Sequence, residues 1–76
     1  MTIHKLDARR MLCPMPVIRT QDCIAKLQPK DVVEVTCTDP GAINDVPTWC
    51  RINGHTVLDI KQDESEIVIT IEVGSE

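Results

Sequence analysis

One cysteine framed by two prolines is the residue of this 76-residue chain best suited to chemistry. Cys13 is followed by Pro14 and Pro16. Proline fits the first turn of a helix, where backbone N–H groups have no intrahelical partner to lose, so this stretch predicts a helix start. With Pro14 at the first helical position, Cys13 is the N-cap, beside the positive end of the helix dipole. That position lowers a thiol pKa below its usual value of about 8.5 and favours the nucleophilic thiolate.

The alternative for Cys13 is an inert residue that happens to precede a helix. Ser, Thr, Asp and Asn are the preferred N-caps, so a cysteine with no other role is the weaker interpretation. We therefore expect Cys13 to be a working nucleophile.

The spacing of the remaining cysteines argues against a disulfide framework or a zinc site. Successive cysteines are separated by 10, 14 and 13 residues, and they are Cys13, Cys23, Cys37 and Cys50. Structural zinc usually draws on closely spaced ligand pairs, whereas neither histidine lies within four residues of a cysteine. We expect no metal and no cofactor.

The charges are distributed unevenly along the sequence. Residues 1–30 contain six basic and two acidic residues, and residues 31–76 contain two basic and ten acidic residues. Arg9 and Arg10 lie just before Cys13, where they would favour its thiolate and could steer an acidic partner. The alternative, a solvated face without consequence, stays open at this point.

Composition limits the function classes. Trp49 is the only aromatic residue, so the chain offers no stacking platform for single-stranded nucleic acid, and we expect no direct nucleic-acid binding. The N-terminal residues form no apolar signal region, and no apolar run approaches the ~18 residues that span a bilayer. The length suits one domain over residues 1–76. We expect a cytoplasmic monomer without membrane contact.

Hydrophobic periodicity and turn signals predict six elements. They are a strand at Thr2 to Asp7, a helix from Pro14 to about Leu27, a strand at Asp31 to Thr38, a helix that starts at Asp39-Pro40-Gly41 and ends at Asn53-Gly54, and strands at His55 to Gln62 and Glu66 to Val73. The order β-α-β-α-β-β predicts an α/β (α+β) two-layer sandwich, with two helices on one face of a four-stranded mixed sheet.

The connection between the first two strands predicts where the first helix begins. Val33, Val35 and Cys37 share one face of the second strand. A strand, helix and strand in about thirty residues imply a parallel pair with a right-handed crossover. The start of the first helix, and so Cys13, is then expected at the sheet edge where the second strand ends.

Two helix faces are also predicted. In the first helix, Val17, Ile24 and Leu27 share a side, with Ile18 and Ala25 at its margin. In the second helix, Ile43, Val46 and Cys50 share the apolar face, and Asp39 is the expected cap. Pro47 leaves two alternatives, a separate turn before a helix that begins near Val46, or one kinked helix.

These residues resemble the TusA/SirA-like family of small sulfur carrier proteins. The resemblance rests on Leu6-Asp7-Ala8, Cys13-Pro14-x-Pro16, Thr38-Asp39-Pro40-Gly41-Ala42, Asp45-Val46-Pro47, Cys50 and Gly54-His55 at these spacings. It implies the strand order 1-2-4-3, and it implies that Cys13 carries sulfane sulfur as a persulfide, with Pro14 and Pro16 framing it. It also implies a donor protein, a cysteine desulfurase or a rhodanese, and a DsrE-like or TusD-like acceptor.

Two departures concern the pathway. Met15 stands where the tRNA-thiolating member of the family carries an acid, and Leu12 stands where that member has a basic residue. This version of the motif looks more like the carriers of sulfur-oxidising bacteria. Dissimilatory sulfur oxidation and tRNA thiolation both stay open.

Two other functions compete with a sulfur carrier. In a dithiol redox switch, Cys37 is the candidate partner of Cys13, because Cys23 is separated from Cys13 by roughly 15 Å of helix against the ~4.4 to 6.8 Å that a disulfide allows. In a non-catalytic regulatory interaction module, Cys13 would be dispensable. For the carrier, we expect partners to dock at the edge formed by Arg9, Arg10, Asp39 and Pro40.

Overall fold

The six expected elements are present in the expected order. A computed structural model of the chain describes residues 3–12 and 15–74, so Cys13 and Pro14, like the terminal residues 1, 2, 75 and 76, lie outside the described residues. The elements are β1 (Ile3–Ala8), α1 (Met15–Ile24), β2 (Val32–Cys37), α2 (Ala42–Ile52), β3 (Thr56–Gln62) and β4 (Ile67–Glu72). The order β-α-β-α-β-β is confirmed.

The strands form one mixed sheet in the order β1-β2-β4-β3. β1 pairs with β2 in parallel, and β4 pairs antiparallel with both β2 and β3. The parallel pair has the helical crossover that such a pair needs. Both the sheet order 1-2-4-3 and the two-layer α+β sandwich are therefore confirmed.

The core lies between the helices and the two central strands. Alternate residues of β2 and β4 are fully buried, as their apolar spacing predicts, and these are Val33, Val35, Cys37, Ile69 and Ile71. β3 is an edge strand whose residues are mostly exposed, and its register shifts between Val57 and Asp59. Such an irregularity disfavours pairing of an edge with another chain.

Helix α1 is shorter than predicted. Its predicted inner face is confirmed, because Ile24 is buried and Val17 and Leu27 are half-buried against the core, but this face also includes Pro16 and Thr20. The helix ends at Ile24, and the chain continues in a tight turn in which the Leu27 amide donates to the Ile24 carbonyl at 3.0 Å. Its buried residues are Pro16, Thr20 and Ile24. Ile18, expected at the margin of this face, is exposed. A threonine can occupy the core because its hydroxyl donates to the Pro16 carbonyl at 2.8 Å, which satisfies the buried oxygen.

Helix α2 is one continuous helix that contains Pro47. The alternative of a separate turn followed by a helix from Val46 is therefore wrong. Proline has no N–H, so the Ile43 carbonyl loses the hydrogen bond that position 47 would otherwise donate. The two helices have 10 and 11 residues, and neither of these described segments has the length and apolar character needed to cross a membrane.

Both ends of α2 are set by turn chemistry. Asp39 was expected as the cap, but the N-cap position is Gly41, which makes no side-chain cap. Asp39 acts one step earlier, because its carboxylate accepts the Gly41 amide at 3.1 Å and closes a turn before the helix. At the other end, Gly54 has φ 82°, the left-handed conformation expected of a glycine after a helix.

Candidate functional site

Three loops meet at one edge of the sheet, which is the edge where β1, β2 and β3 end and β4 begins. Ala8 lies opposite Cys37, and Cys37 lies opposite Ile67, so the β1–α1 loop, the β2–α2 loop and the β3–β4 hairpin share this edge. The Arg10 amide donates to the Thr38 hydroxyl at 2.8 Å, which joins the first two loops directly. A right-handed crossover between β1 and β2 predicts that the segment before Cys13 meets the end of β2.

Cys13 and Pro14 lie outside the described residues, whereas the residues on either side of them are described. Leu12 is 76% exposed and Met15 is 44% exposed, whereas Pro16 is buried in the core. The Met15 amide donates to the Leu12 carbonyl at 2.8 Å. The described residues of the Cys-Pro-x-Pro motif are thus the exposed Met15 and the buried Pro16.

Arg9 is bound to two carboxylates. Its Nε and Nη2 donate to the two oxygens of Asp7 at 3.0 and 3.1 Å, and its backbone amide donates to the same carboxylate at 3.0 Å. Its Nη1 donates to Glu66 on the β3–β4 hairpin at 3.3 Å. The side-chain bond from Arg9, more than any other cause, lowers the pKa of Asp7 to about 2. Both carboxylates also raise the pKa of the Arg9 guanidinium.

Arg10 has a different environment. Its backbone lies in the left-handed region with φ 65°, which is unusual for a residue other than glycine. Its amide is bound to Thr38, whereas its exposed guanidinium makes no hydrogen bond or ion pair with the described residues. At the same edge, Asp39 is half-buried in its turn and Pro40 is exposed.

The edge carries charges of both signs. A cavity of about 450 Å³ lies there, lined by Asp7, Arg9, Arg10, Thr38, Ser65 and Glu66. Glu66 belongs to the hairpin that also contains Asp63 and Glu64, so the acidic second half of the sequence returns to the basic first half. The distribution of charge along the sequence does not show that these acidic residues lie beside the basic loop, because their approach depends on the pairing of β4 with β2.

The described cysteines are poorly placed for nucleophilic chemistry. Cys37 and Cys50 are fully buried, and burial raises the pKa of each thiol to about 11, with a further contribution from Asp39 at Cys37. Cys23 is half-buried on α1. As their predicted positions on apolar faces imply, Cys37 is buried with Val33 and Val35, and Cys50 is buried with Val46.

The histidines have structural surroundings. His4 lies 3.6 Å from the carboxylate of Asp31, and His55 stacks on Trp49 with ring centroids 5.2 Å apart. Within residues 3–12 and 15–74, no group of three or more His, Cys, Asp or Glu side chains could hold a metal ion.

Comparison with known proteins defines the family. The sequence model described as Sulfurtransferase TusA matches residues 4–73, which is most of the chain. The chain belongs to the TusA family. The Putative sulfur carrier protein YrkI of Bacillus subtilis (strain 168) is 40% identical to this TusA-family chain over 63 residues, covering 83% of each protein. The Putative sulfur carrier protein YedF of Escherichia coli (strain K12) is 37% identical over 60 residues, covering 79% of this chain and 78% of YedF.

A solved structure has the same architecture. The crystal structure of the SirA-like protein from Desulfitobacterium hafniense superposes with a TM-score of 0.82 at 26% sequence identity. The superposition covers 97% of this chain and 100% of that one. The TusA/SirA-like resemblance of the sequence is therefore confirmed for both family and fold.

Proposed function

We propose that this TusA-family chain is a sulfur carrier that accepts sulfane sulfur as a persulfide on Cys13 and relays it to a protein thiol. The observation that carries the proposal is the contrast among the four cysteines. Cys13 belongs to the Cys-Pro-x-Pro motif of a chain matched by the TusA family model, between the exposed Leu12 and Met15. The other three cysteines are buried or half-buried.

The proposed reaction is a pair of thiolate substitutions. In loading, the Cys13 thiolate attacks the outer sulfur of a donor persulfide, the donor S–S bond breaks, and the donor cysteine leaves as a thiolate. In delivery, an acceptor thiolate attacks the outer sulfur on Cys13, and Cys13 leaves as a thiolate. The transferred sulfur keeps its oxidation level, so neither step needs an oxidant or reductant. The chemistry requires one activated thiol and close docking of two proteins.

The partners follow from this chemistry. The donor is a protein that forms a persulfide, a cysteine desulfurase or a rhodanese, and the acceptor is a protein thiol of the DsrE-like or TusD-like kind. Docking takes place at the sheet edge that contains Arg9, Arg10, Asp39 and Pro40, since the segment leading into Cys13 lies there. The chain works as a monomer in the cytoplasm, in dissimilatory sulfur oxidation or tRNA thiolation.

Intact-mass measurement tests the proposal. The reduced protein is incubated with a cysteine desulfurase and free cysteine, and separately with a rhodanese and thiosulfate. The parent chain and a Cys23→Ser control should each gain the mass of one sulfur atom from at least one donor, and Cys13→Ser should gain none. A Cys13→Ser variant that loads as well as the parent would contradict the assignment.

The same experiment separates the competing functions. Loss of two hydrogens in place of a gain of sulfur would support the dithiol redox switch. A parent chain that loads from neither donor would support the regulatory interaction module. The burial of Cys37 and the raised pKa of its thiol disfavour the redox switch.

A further inference from the structure

Arg9 and Arg10 are neighbours in sequence, but their guanidinium groups have different surroundings. Arg9 uses two nitrogens of its guanidinium and its backbone amide on Asp7, and a further nitrogen on Glu66. The Arg10 guanidinium is exposed and has no such partner among the described residues. Arg9 is therefore paired with two carboxylates at the surface, whereas the Arg10 guanidinium is available to a binding protein.

The Arg9 contacts include one that is local in sequence and one that is distant. Asp7 is in β1, whereas Glu66 begins the return of the β3–β4 hairpin, 57 residues after Arg9. Arg9 thus joins the segment that precedes Cys13 in sequence to the β3–β4 hairpin. Leu12, three residues after Arg9, immediately precedes Cys13 in the sequence, and its carbonyl accepts the Met15 amide.

We propose that Arg9 is a positioning residue for sulfur transfer, whose guanidinium fixes the β1–α1 loop between Asp7 and Glu66 so that Cys13 is presented to partner proteins. The inference rests on the carrier function proposed above. It assigns the electrostatic contact with partners to Arg10, and it assigns to Arg9 the geometry of the loop.

The geometry of the Arg9 contacts supports positioning over steering. A guanidinium that meets both oxygens of one carboxylate fixes orientation as well as distance, which a lysine ammonium cannot do. Two flanking carboxylates also cancel the positive field that Arg9 would otherwise project toward a partner. Exposed ion pairs contribute little to overall folding stability, so the expected consequence is local, on the path of the loop.

Replacement of arginine by lysine separates the two roles, because lysine keeps the charge and loses the planar fork. Transfer is measured as the rate of sulfur gain from whichever protein donor, cysteine desulfurase or rhodanese, loads the parent chain. We expect Arg9→Lys and Arg9→Gln to slow transfer by a similar factor of about five, and Arg9→Lys, which keeps the charge, should retain the salt dependence of the parent. Arg10→Gln should slow transfer and weaken its salt dependence. Arg51→Lys, at the C-terminal end of α2, is the matched control for the exchange itself.

A charge exchange and a small-molecule donor complete the test. The variants Arg9→Glu and Glu66→Arg should each slow transfer, and the double variant should recover part of the loss because the two positions attract again. Loading of the Arg9 variants by sodium polysulfide, which needs no docking, should change much less.

The outcomes distinguish this inference from the function on which it rests. A parent chain that no donor and no polysulfide loads on Cys13 would overturn both. A parent that loads normally, together with an Arg9→Lys variant that transfers at the parent rate, would overturn the positioning role alone. Failure of the double variant to recover any transfer would do the same.

Discussion

The imidazole of His55 accepts a hydrogen bond from the Gly74 amide, with 2.9 Å between Nδ1 and the nitrogen. The His55 amide in turn donates to the Cys50 carbonyl at 2.8 Å, and the ring stacks on Trp49. Gly74 is packed so closely that a side chain there would collide with the Gly54 carbonyl. These contacts hold the segment after β4 against the end of α2, at the end of the sandwich away from Ala8, Cys37 and Ile67.

This arrangement makes stability depend on the charge of His55. Burial lowers the pKa of His55, and a protonated Nδ1 would face the Gly74 amide donor to donor. Because the pKa of His55 is lower in the folded state, the stabilisation by its neutral ring is complete above the unfolded pKa of about 6.5. This stabilisation is lost as the pH falls through the folded pKa. We expect the free energy of unfolding in urea to decrease between pH 7.5 and pH 5.

The matched control for this prediction is His55→Asn, whose side-chain oxygen can take the place of Nδ1 as an acceptor that does not titrate. The variant should show a weaker decrease over the same pH range. Equal pH dependence of parent and variant would assign the effect to groups other than His55.

Two residues with positive φ should be improved by glycine. Arg10 has φ 65° and Lys30 has φ 76°. The left-handed conformation costs a non-glycine residue about 1–2 kcal/mol, and the extra freedom of glycine in the unfolded chain offsets roughly 0.5–1 kcal/mol of that. Lys30→Gly and Arg10→Gly should each raise the free energy of unfolding by about 0.5–1 kcal/mol. Arg9→Gly, at a position without positive φ, should lower it, and a gain there would show that backbone strain is not the cause.

Strong local patterns made most of the architecture predictable. β2 and β4 alternate apolar and polar residues, so their buried faces followed directly from the sequence. Helix starts and ends were marked by Pro40-Gly41 and Asn53-Gly54 to within a few residues. The crossover rule then placed the segment before Cys13 beside Thr38, which the Arg10 hydrogen bond confirms.

The parts that could not be predicted depend on individual side-chain contacts, two of them local and one between distant segments. Thr20 is polar by type but buried, since the Pro16 carbonyl one turn earlier satisfies its hydroxyl. The residue type and position of Asp39 are typical of a helix cap, but its carboxylate accepts the Gly41 amide in a turn before the helix. Pairing of Arg9 with Glu66 required the hairpin to return to the first loop, so a charge count along the chain could not find it.

Cys50 is expected to be structural and dispensable for sulfur transfer. It is fully buried on α2 beside Val46, and a buried cysteine behaves as a small inert hydrophobe. Cys50→Ala should lower the free energy of unfolding by about 1 kcal/mol or somewhat more, whereas Cys23→Ala at a half-buried position should cost less. Sulfur gain on Cys13 should persist in both. A folded Cys50→Ala protein that no longer gains sulfur would give Cys50 a role in the reaction.

Cys13 should be the most reactive thiol of the native protein. The thiolate is the form that iodoacetamide alkylates, and a pKa of about 11 leaves only about one part in ten thousand of the Cys37 and Cys50 thiols ionised at pH 7. Burial adds a steric barrier at both positions. Cys23 is half-buried, whereas Cys13 lies between the exposed Leu12 and Met15.

Brief alkylation at neutral pH, followed by peptide mass analysis, measures this order. The Cys13 peptide should be labelled first, the Cys23 peptide next, and the Cys37 and Cys50 peptides last. In urea, where burial no longer protects any thiol, the four peptides should be labelled at similar rates, so the native order would be a property of the fold. Earlier labelling of Cys23 or Cys37 in the native protein would contradict the placement of Cys13 as the activated thiol at the start of α1.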